Sequence, residues 1–353
     1  MFEARIDEVD PATASEADLV AVWELEAELE REALPGEPVP PLEHSFLEYR
    51  NRPSYIHRRW FLARQGGRVV GKGGCSWSDL PENRSHAEVD VMVHPDARRR
   101  GLGGALFGYA TEAAAAAGCT LLDLGARVGG TGEPFLRALG AELRMVERRS
   151  VCRLEDLDRA LLEAWVRRAR ERGAGYTLLA WDGPCPEELI DPFIELRHVM
   201  NTAPLEALER DDDRFTPERW RELESKWLAA GYDWWTICAR HDGSGELAGF
   251  TELFFPGRWP EMAYQEDTGV WPKHRNRGLG RWLKAAMALR VLDERPAVTR
   301  IETWNAGSNQ AMLGINVAMG FRPLENWGDW QLPTEQARAA LAGRVACGLV
   351  LDA

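Results

Sequence analysis

The sequence has no apolar run long enough to cross a bilayer, and Met1-Phe-Glu-Ala-Arg-Ile-Asp7 lacks the pattern of a secretory leader. Both absences point to the cytoplasm. The six cysteines, Cys75, Cys119, Cys152, Cys185, Cys238 and Cys347, fall at no metal-ligand spacing and form no dense framework. Reduced, buried thiols and no metal site are the expectation. Positive charge is also scarce: 43 Lys and Arg against 56 Asp and Glu leave a formal net charge of −13. That balance argues against a general nucleic-acid surface and leaves room for a cationic substrate in an acidic cleft.

What the 353 residues do contain is enough chain for two compact cores, since domains commonly hold roughly 100–200 residues. They also contain one turn twice. Val270-Trp-Pro-Lys-His-Arg-Asn-Arg-Gly-Leu-Gly-Arg-Trp-Leu283 ends a strand, turns through Gly278 and Gly280, and opens a helix with apolar residues three and four apart. A turn entering a helix leaves the first backbone N–H groups without partners, and these point where an anion can sit. Lys273, His274, Arg275 and Arg277 add positive potential, and arginine can hold phosphate oxygens bidentately. His94-Pro-Asp-Ala-Arg-Arg-Arg-Gly-Leu-Gly-Gly104 repeats the pattern, with Gly278 lying 177 positions after Gly101. Each copy follows a strand, here one carrying Val89, Val91 and Val93, and each precedes an alanine-rich helix. Two similar domains in tandem explain the repetition.

These segments resemble the acetyl-CoA binding motif of the GNAT acetyltransferase superfamily, Arg/Gln-x-x-Gly-x-Gly/Ala. Arg98, Gly101 and Gly103 match it in the first half, and Arg275, Gly278 and Gly280 in the second. Asn305-Ala-Gly-Ser-Asn-Gln-Ala-Met312 and Ala318-Met-Gly-Phe321 look like the family's later strand and helix. The resemblance implies an α/β fold of two tandem GNAT-like domains, 1–154 and 155–353. Each would hold a mixed, largely antiparallel sheet with a splayed parallel strand pair, flanked by helices. It also implies acetyl-CoA, up to one per domain, and direct attack on its thioester by an acceptor amine.

The periodicities place elements along that plan. Helices are expected over Ala14–Arg31, Leu42–Tyr49, Gly103–Ala117, up to Leu139, Leu157–Arg172, Pro186–Asn201, Pro204–Arg210, Thr216–Ala230, Gly280–Val291, Asn309–Ala318 and Pro333–Cys347, the last capped by Thr334. Strands are expected over Ala4–Asp7, Trp60–Arg64, Arg68–Ser78, His86–His94, Thr120–Leu124, Ala141–Leu154, Tyr176–Trp181, Trp234–Ala239, Glu246–Phe255, Met262–Val270, Thr299–Trp304 and Phe321–Leu332.

For the cofactor, the resemblance implies Val270, Arg275, Asn276, Arg277, Gly278, Leu279 and Gly280 in the second half, with Asn305 and Asn309 toward the pantetheine arm. Either asparagine could equally cap a helix. The first-half counterparts are Val93, Arg98, Arg99, Arg100, Gly101, Leu102, Gly103 and Gly104. Glu266 is the preferred proton acceptor, with Asp267 and Glu252 behind it. A regular strand would put 266 and 267 on opposite faces. Many family members place a proton-donating tyrosine four residues before the glycine of the terminal Gly-Phe. Here that position is Asn316, no useful acid, so Tyr264 or solvent would have to serve. The first half has Leu136 there, and its His86, Glu88 and Asp90 share one strand face, lining a cleft or simply meeting water. Trp227, Tyr232, Trp234, Trp235, Phe254, Phe255 and Trp259 could form an acceptor pocket or a core. His57 and His198 read as packing or surface residues.

The expected activity is acetyl transfer to a primary amine of a small molecule, mainly in the second half, by a monomer or homodimer with no nucleic-acid or membrane partner. Mycothiol synthesis and a non-catalytic acetyl-CoA-sensing module are the alternatives.

Overall fold

The computed structural model describes residues 4–172 and 175–346. Cys347 and the end of the helix expected to reach it lie outside that range. The other five cysteines are free and buried. Among the described residues no helix is long and apolar enough to cross a membrane.

Two compact units form, and neither is continuous in sequence. The first takes the chain up to Val146, Glu206–Asp211 and the chain from Trp327 onward, while the second takes Glu147–Leu205 and Asp212–Asn326. The contiguous halves 1–154 and 155–353 therefore give way to units that exchange strand ends. The physical reason is strand pairing, which the sequence does not display: Trp327–Pro333 pairs antiparallel with Leu121–Arg127 in the first unit. Glu147–Arg153 pairs with Arg300–Ala306 in the second.

In the first unit, β1 (Arg5–Val9), β2 (Ile56–Gln65), β3 (Arg68–Ser78) and β4 (His86–Val93) form an antiparallel series. Then β5 (Leu121–Arg127) joins β4 in parallel, and the 327–333 segment closes the order. Helix α1 (Glu16–Ala33) starts where the Ser15 hydroxyl accepts from the Asp18 amide, and buries Leu19, Val22 and Leu25. Helix α2 (Leu42–Arg50) follows it. On the other side α3 (Leu102–Ala116), α4 (Gly132–Leu139) and the C-terminal helix cover a core built from Leu106, Phe107, Leu122 and Leu332. The strand β6 (Glu142–Arg153) leaves this unit partway along its length.

The second unit repeats the plan. After α5 (Arg159–Arg172) come β7 (Tyr176–Asp182), α6 (Ile190–Arg197), α7 (Pro217–Ala229), the strands β8 (Tyr232–His241), β9 (Leu247–Pro256) and β10 (Met262–Val270), then α8 (Leu279–Glu294). Next are β11 (Arg300–Ala306), α9 (Gln310–Met319), β12 (Arg322–Pro333) and α10 (Thr334–Ala346), the helix already met in the first unit. Strands β7 to β10 are antiparallel, and β11 joins β10 in parallel. Two cores flank this sheet. Leu283, Met287 and Ile301 lie on the α8 side, while Phe193, Trp220 and Phe250 lie on the α6 and α7 side.

Most expected elements are present, with three departures. No helix forms over Pro204–Arg210; residues 206–211 pack into the first unit instead, where the Ala207 amide donates to Arg144 O and the Gln331 side chain bonds both backbone groups of Glu209. Those tertiary bonds replace the intrahelical ones. The stretch expected as one helix over Pro186–Asn201 is α6 flanked by two short 3₁₀ turns, Glu187–Leu189 and His198–Thr202. Thr334, expected to cap the last helix, is the first residue of α10, and its hydroxyl donates to Cys119 O.

Lys284 sits inside the α8 core, 2% exposed, its Nζ 5.5 Å from the Phe321 ring. Burial pulls its ammonium down to about 7. The folded chain therefore holds fewer protons than the unfolded chain between about pH 7 and the ordinary lysine value of 10.5, so this group makes stability rise across that window. Lys284→Met is expected to raise the melting temperature most at pH 7 and below, with the gain shrinking steadily toward pH 10. A gain independent of pH in melts across that range would contradict it.

Candidate active site

The two basic turns share one backbone. Each begins with a 3₁₀ turn, Pro95–Ala97 or Pro272–His274, and each then holds a non-glycine residue in the left-handed region: Arg99 at φ 62° and Asn276 at φ 63°. That conformation costs about 1–2 kcal/mol for an L-residue. Gly101 and Gly278 follow, both at φ 85°, as the residues preceding α3 and α8. Neither helix start has a side-chain cap. Their first N–H groups thus lack the usual side-chain acceptor. A Cβ at Gly278 would meet nothing within 4 Å, so the turn faces open space. These features fit an anion held by main-chain N–H groups and the positive end of a helix.

The side chains around the turns differ. Arg98 Nε donates to Val93 O at 3.0 Å, and Arg275 Nε repeats this to Val270 O at 2.9 Å. The outer edge of Arg98 is then taken by Glu32 at the end of α1, with Nη1 to Oε1 at 2.8 Å and Nη2 to Oε2 at 2.5 Å. Arg98 in turn holds the Glu32 carboxyl below its usual range. Arg275 meets a neutral group instead, Nη2 donating to the Thr202 hydroxyl at 2.7 Å. At the motif arginine the second turn thus meets no carboxylate and the first does, while Glu246 pairs with Lys273 at 2.5 Å and His274 at 3.4 Å at the start of the second turn.

Both parallel strand pairs come apart next to these turns. Pairing of β4 with β5 covers His86–Val89 against Leu121–Leu124, and pairing of β10 with β11 only Met262–Tyr264 against Arg300–Glu302. Past that point the Thr303 hydroxyl reaches across to Gln265 O at 3.0 Å. Beyond Tyr264 the β10 chain carries two of the expected carboxylates, Glu266 and Asp267.

Those carboxylates are arranged by a bulge. The register of β10 against β9 shifts between Gln265 and Thr268, so Glu266 and Asp267 together stand opposite Glu252, one residue more than regular pairing allows. The alternation expected of a regular strand does not apply there. The Gln265 amide stabilises the irregularity by donating to Glu252 O at 2.6 Å and Thr251 Oγ1 at 3.1 Å. Asp267 consequently comes to the same cation as Glu252 on β9: Arg197, the last residue of α6, donates Nη2 to Asp267 Oδ2 at 2.5 Å and Nη1 to Glu252 Oε2. Arg197 lies 4.6 Å over the Trp220 ring and 5.2 Å over Phe250. Glu252 is 2% exposed, and burial pushes its carboxyl up to about 7 despite Arg197. The Asp267 side chain remains 35% exposed.

Of the expected catalytic residues, Glu252 and Asp267 are thus joined, and Tyr264, paired with Phe254 and Glu302, belongs to the same face as Glu252. Glu266 is exposed in the bulge. Asn309 does cap α9, its Oδ1 accepting from the Met312 amide at 3.3 Å. Asn305 does not; its Oδ1 accepts from the Asn316 amide at 2.7 Å. The aromatic pocket resolves into core: Trp234 and Phe254 stack with Trp227 against one face, and Trp235 and Phe255 pack on the other. In the first unit His86 meets Asp123 at 3.0 Å, the Ser76 hydroxyl donates to Glu88 at 3.3 Å, and buried Lys72 lies 3.5 Å from Asp90. His57 pairs with Asp79 and stacks on Trp77, and His198 lies 3.5 Å from Glu195. Sequence reasoning missed Arg197, Thr202 and Glu32; nothing in their local patterns marks them.

The model of the Acetyltransferase (GNAT) family matches residues 20–133 and again 198–321. The chain belongs to that family, twice over, and the family binds acetyl-CoA. Among solved structures it is similar to a tandem GNAT protein from the clavulanic acid biosynthesis pathway, at TM-score 0.75 and 27% identity, over 94% of this chain and 99% of that one. A GCN5-related N-acetyltransferase from Sphaerobacter thermophilus shares the fold at TM-score 0.68 and 16% identity, over 93% and 96%. No curated protein sequence matches.

Arg197→Met would leave Glu252 buried beside no cation. We expect a loss of about 3–5 kcal/mol in denaturant unfolding, as for a broken buried pair. Adding Glu252→Gln should restore most of it, and equal losses in single and double variants would contradict the pairing.

Proposed function

We propose that the chain transfers the acetyl group of acetyl-CoA to a primary amine of a small molecule, and that the second unit carries the reaction. The observation behind this reading is the contrast between the turns: the same N–H cradle stands beside Glu32 in one unit and beside the neutral Thr202 hydroxyl in the other. In the second unit the diphosphate would be held by the backbone of Asn276–Gly280, with Arg275 and Arg277 beside it. Acetyl-CoA supplies the activated acyl group as a thioester.

The opposite face supplies what an amine needs. The amine nitrogen forms a bond to the acyl carbon, the carbon–sulfur bond breaks, and the amine proton goes to the solvent-facing carboxylate of Asp267, which Arg197 holds in place. Tyr264 or water returns a proton to the thiolate. Attack in this manner calls for no metal. An acidic lining and a net charge of −13 favour a cationic acceptor over an anionic one. The first unit, with Arg98 compensated and Leu136 where Asn316 stands, serves as a weaker cofactor holder.

Asn316 itself favours a second reading, a module that binds acetyl-CoA without turnover, since an amide is no acid. CoA release measured against a panel of amines, aminoglycosides and a cysteinyl glycoside separates the readings, and the last acceptor addresses mycothiol synthesis. The transferase reading expects thiol release with at least one amine. Asp267→Asn should then lower kcat by about a hundredfold or more. Gly278→Val, which forces a β-branched residue to φ 85°, should abolish more turnover than Gly101→Val. Binding of acetyl-CoA with no release across the panel would establish the second reading instead.

A further inference from the structure

Asn316 is 1% exposed on α9, and its Oδ1 is buried with no hydrogen-bond partner. An orphaned buried acceptor of this sort destabilises the fold, because its lost hydration is not replaced. The fold does not require it. Counting back from the left-handed glycine that ends each short helix, Gly140 at φ 86° and Gly320 at φ 108°, the first unit places Leu136 where the second has Asn316. Counting along the strand from the first parallel pair, Leu121 or Arg300, it places Ala126 where the second has Asn305. Leu136 and Ala126 are 5% and 4% exposed in a continuous apolar core. One architecture therefore closes with two apolar residues in one unit and with two amides in the other.

The amides are coupled in one direction. Asn316 Nδ2 donates to Asn305 Oδ1 at 2.7 Å, which fixes the Asn305 carboxamide with its oxygen toward α9. The Asn305 Nδ2 donor must then point away from α9. Asn305 is half-buried on β11, three residues beyond the last one paired to β10, where the parallel neighbour has already separated.

We infer that Asn316 is a positioning residue: it holds the Asn305 amide so that its N–H meets a carbonyl oxygen of the arm joining the CoA nucleotide to its sulfur. This inference rests on the second-unit cofactor reading and adds to it the means by which one unit orients the reactive end of the cofactor while the other grips only the nucleotide.

The test compares acetyl-CoA with adenosine 3′-phosphate 5′-diphosphate, which carries the nucleotide and diphosphate but no arm. Binding is measured calorimetrically in the full chain for the parent, Asn305→Ala, Asn316→Leu and the double variant, each change importing the first unit's residue. We expect acetyl-CoA affinity of the second site to fall about tenfold in Asn305→Ala, the scale of one lost hydrogen bond. Asn316→Leu should lose a similar factor, the double variant no more than either, and the armless nucleotide should bind all four alike. Asn316→Leu should melt no lower than the parent, since it removes the orphaned acceptor. Additive losses, equal losses for both ligands, or no loss would each overturn the inference. A parent that binds neither ligand would overturn the cofactor reading itself, and the inference with it.

Discussion

The structure depends on a backbone constraint: two successive excursions into the left-handed region, at Asn276 and Gly278 in one unit and at Arg99 and Gly101 in the other. They rotate the chain so that it enters a helix with its first amides uncapped and facing outward. A side-chain cap would satisfy those amides and close the site. The arginine that bonds back to Val93 O or Val270 O ties the turn to the strand before it, so the end of the strand and the start of the helix are held as one piece. The separation of the parallel strands alongside gives the piece a gap to serve.

On that common frame the two units differ in side chains. One turn meets Glu32 and the other Thr202. One strand carries Asp90 near Lys72, while the other carries Asp267 in a bulge, sharing Arg197 with Glu252. The bulge matters because it brings a half-exposed carboxylate to a cation that a regular strand would not have let it reach. The buried amide pair of Asn305 and Asn316 has only alanine and leucine as its counterpart. The same backbone occurs twice, and the residues that decorate the two copies differ.

The turns were legible in the sequence because their signal is local: glycines, basic residues and a helix start within a dozen positions. Helix and strand periodicity placed most elements for the same reason. What stayed hidden was set by distant partners. The 206–211 segment has helix-forming residues, yet its amides bond to Arg144 and Gln331. The last strand reads as the end of the second domain, but Trp327–Pro333 completes the first sheet. Arg197 is an ordinary arginine in a short helix until Glu252 and Asp267 close on it, and alternation could not anticipate a bulge stabilised by Gln265. Asn316 was legible as a departure from the family, though not as the partner of Asn305.

The central claim is that the outward amides of residues 276–280 grip the diphosphate. Amide hydrogen exchange on a peptide spanning Arg275–Leu283, with and without acetyl-CoA, tests it most directly. The account predicts slowed exchange at these amides when acetyl-CoA binds, and equally slowed exchange with the armless nucleotide. Binding of either ligand with exchange across this peptide unchanged would contradict it.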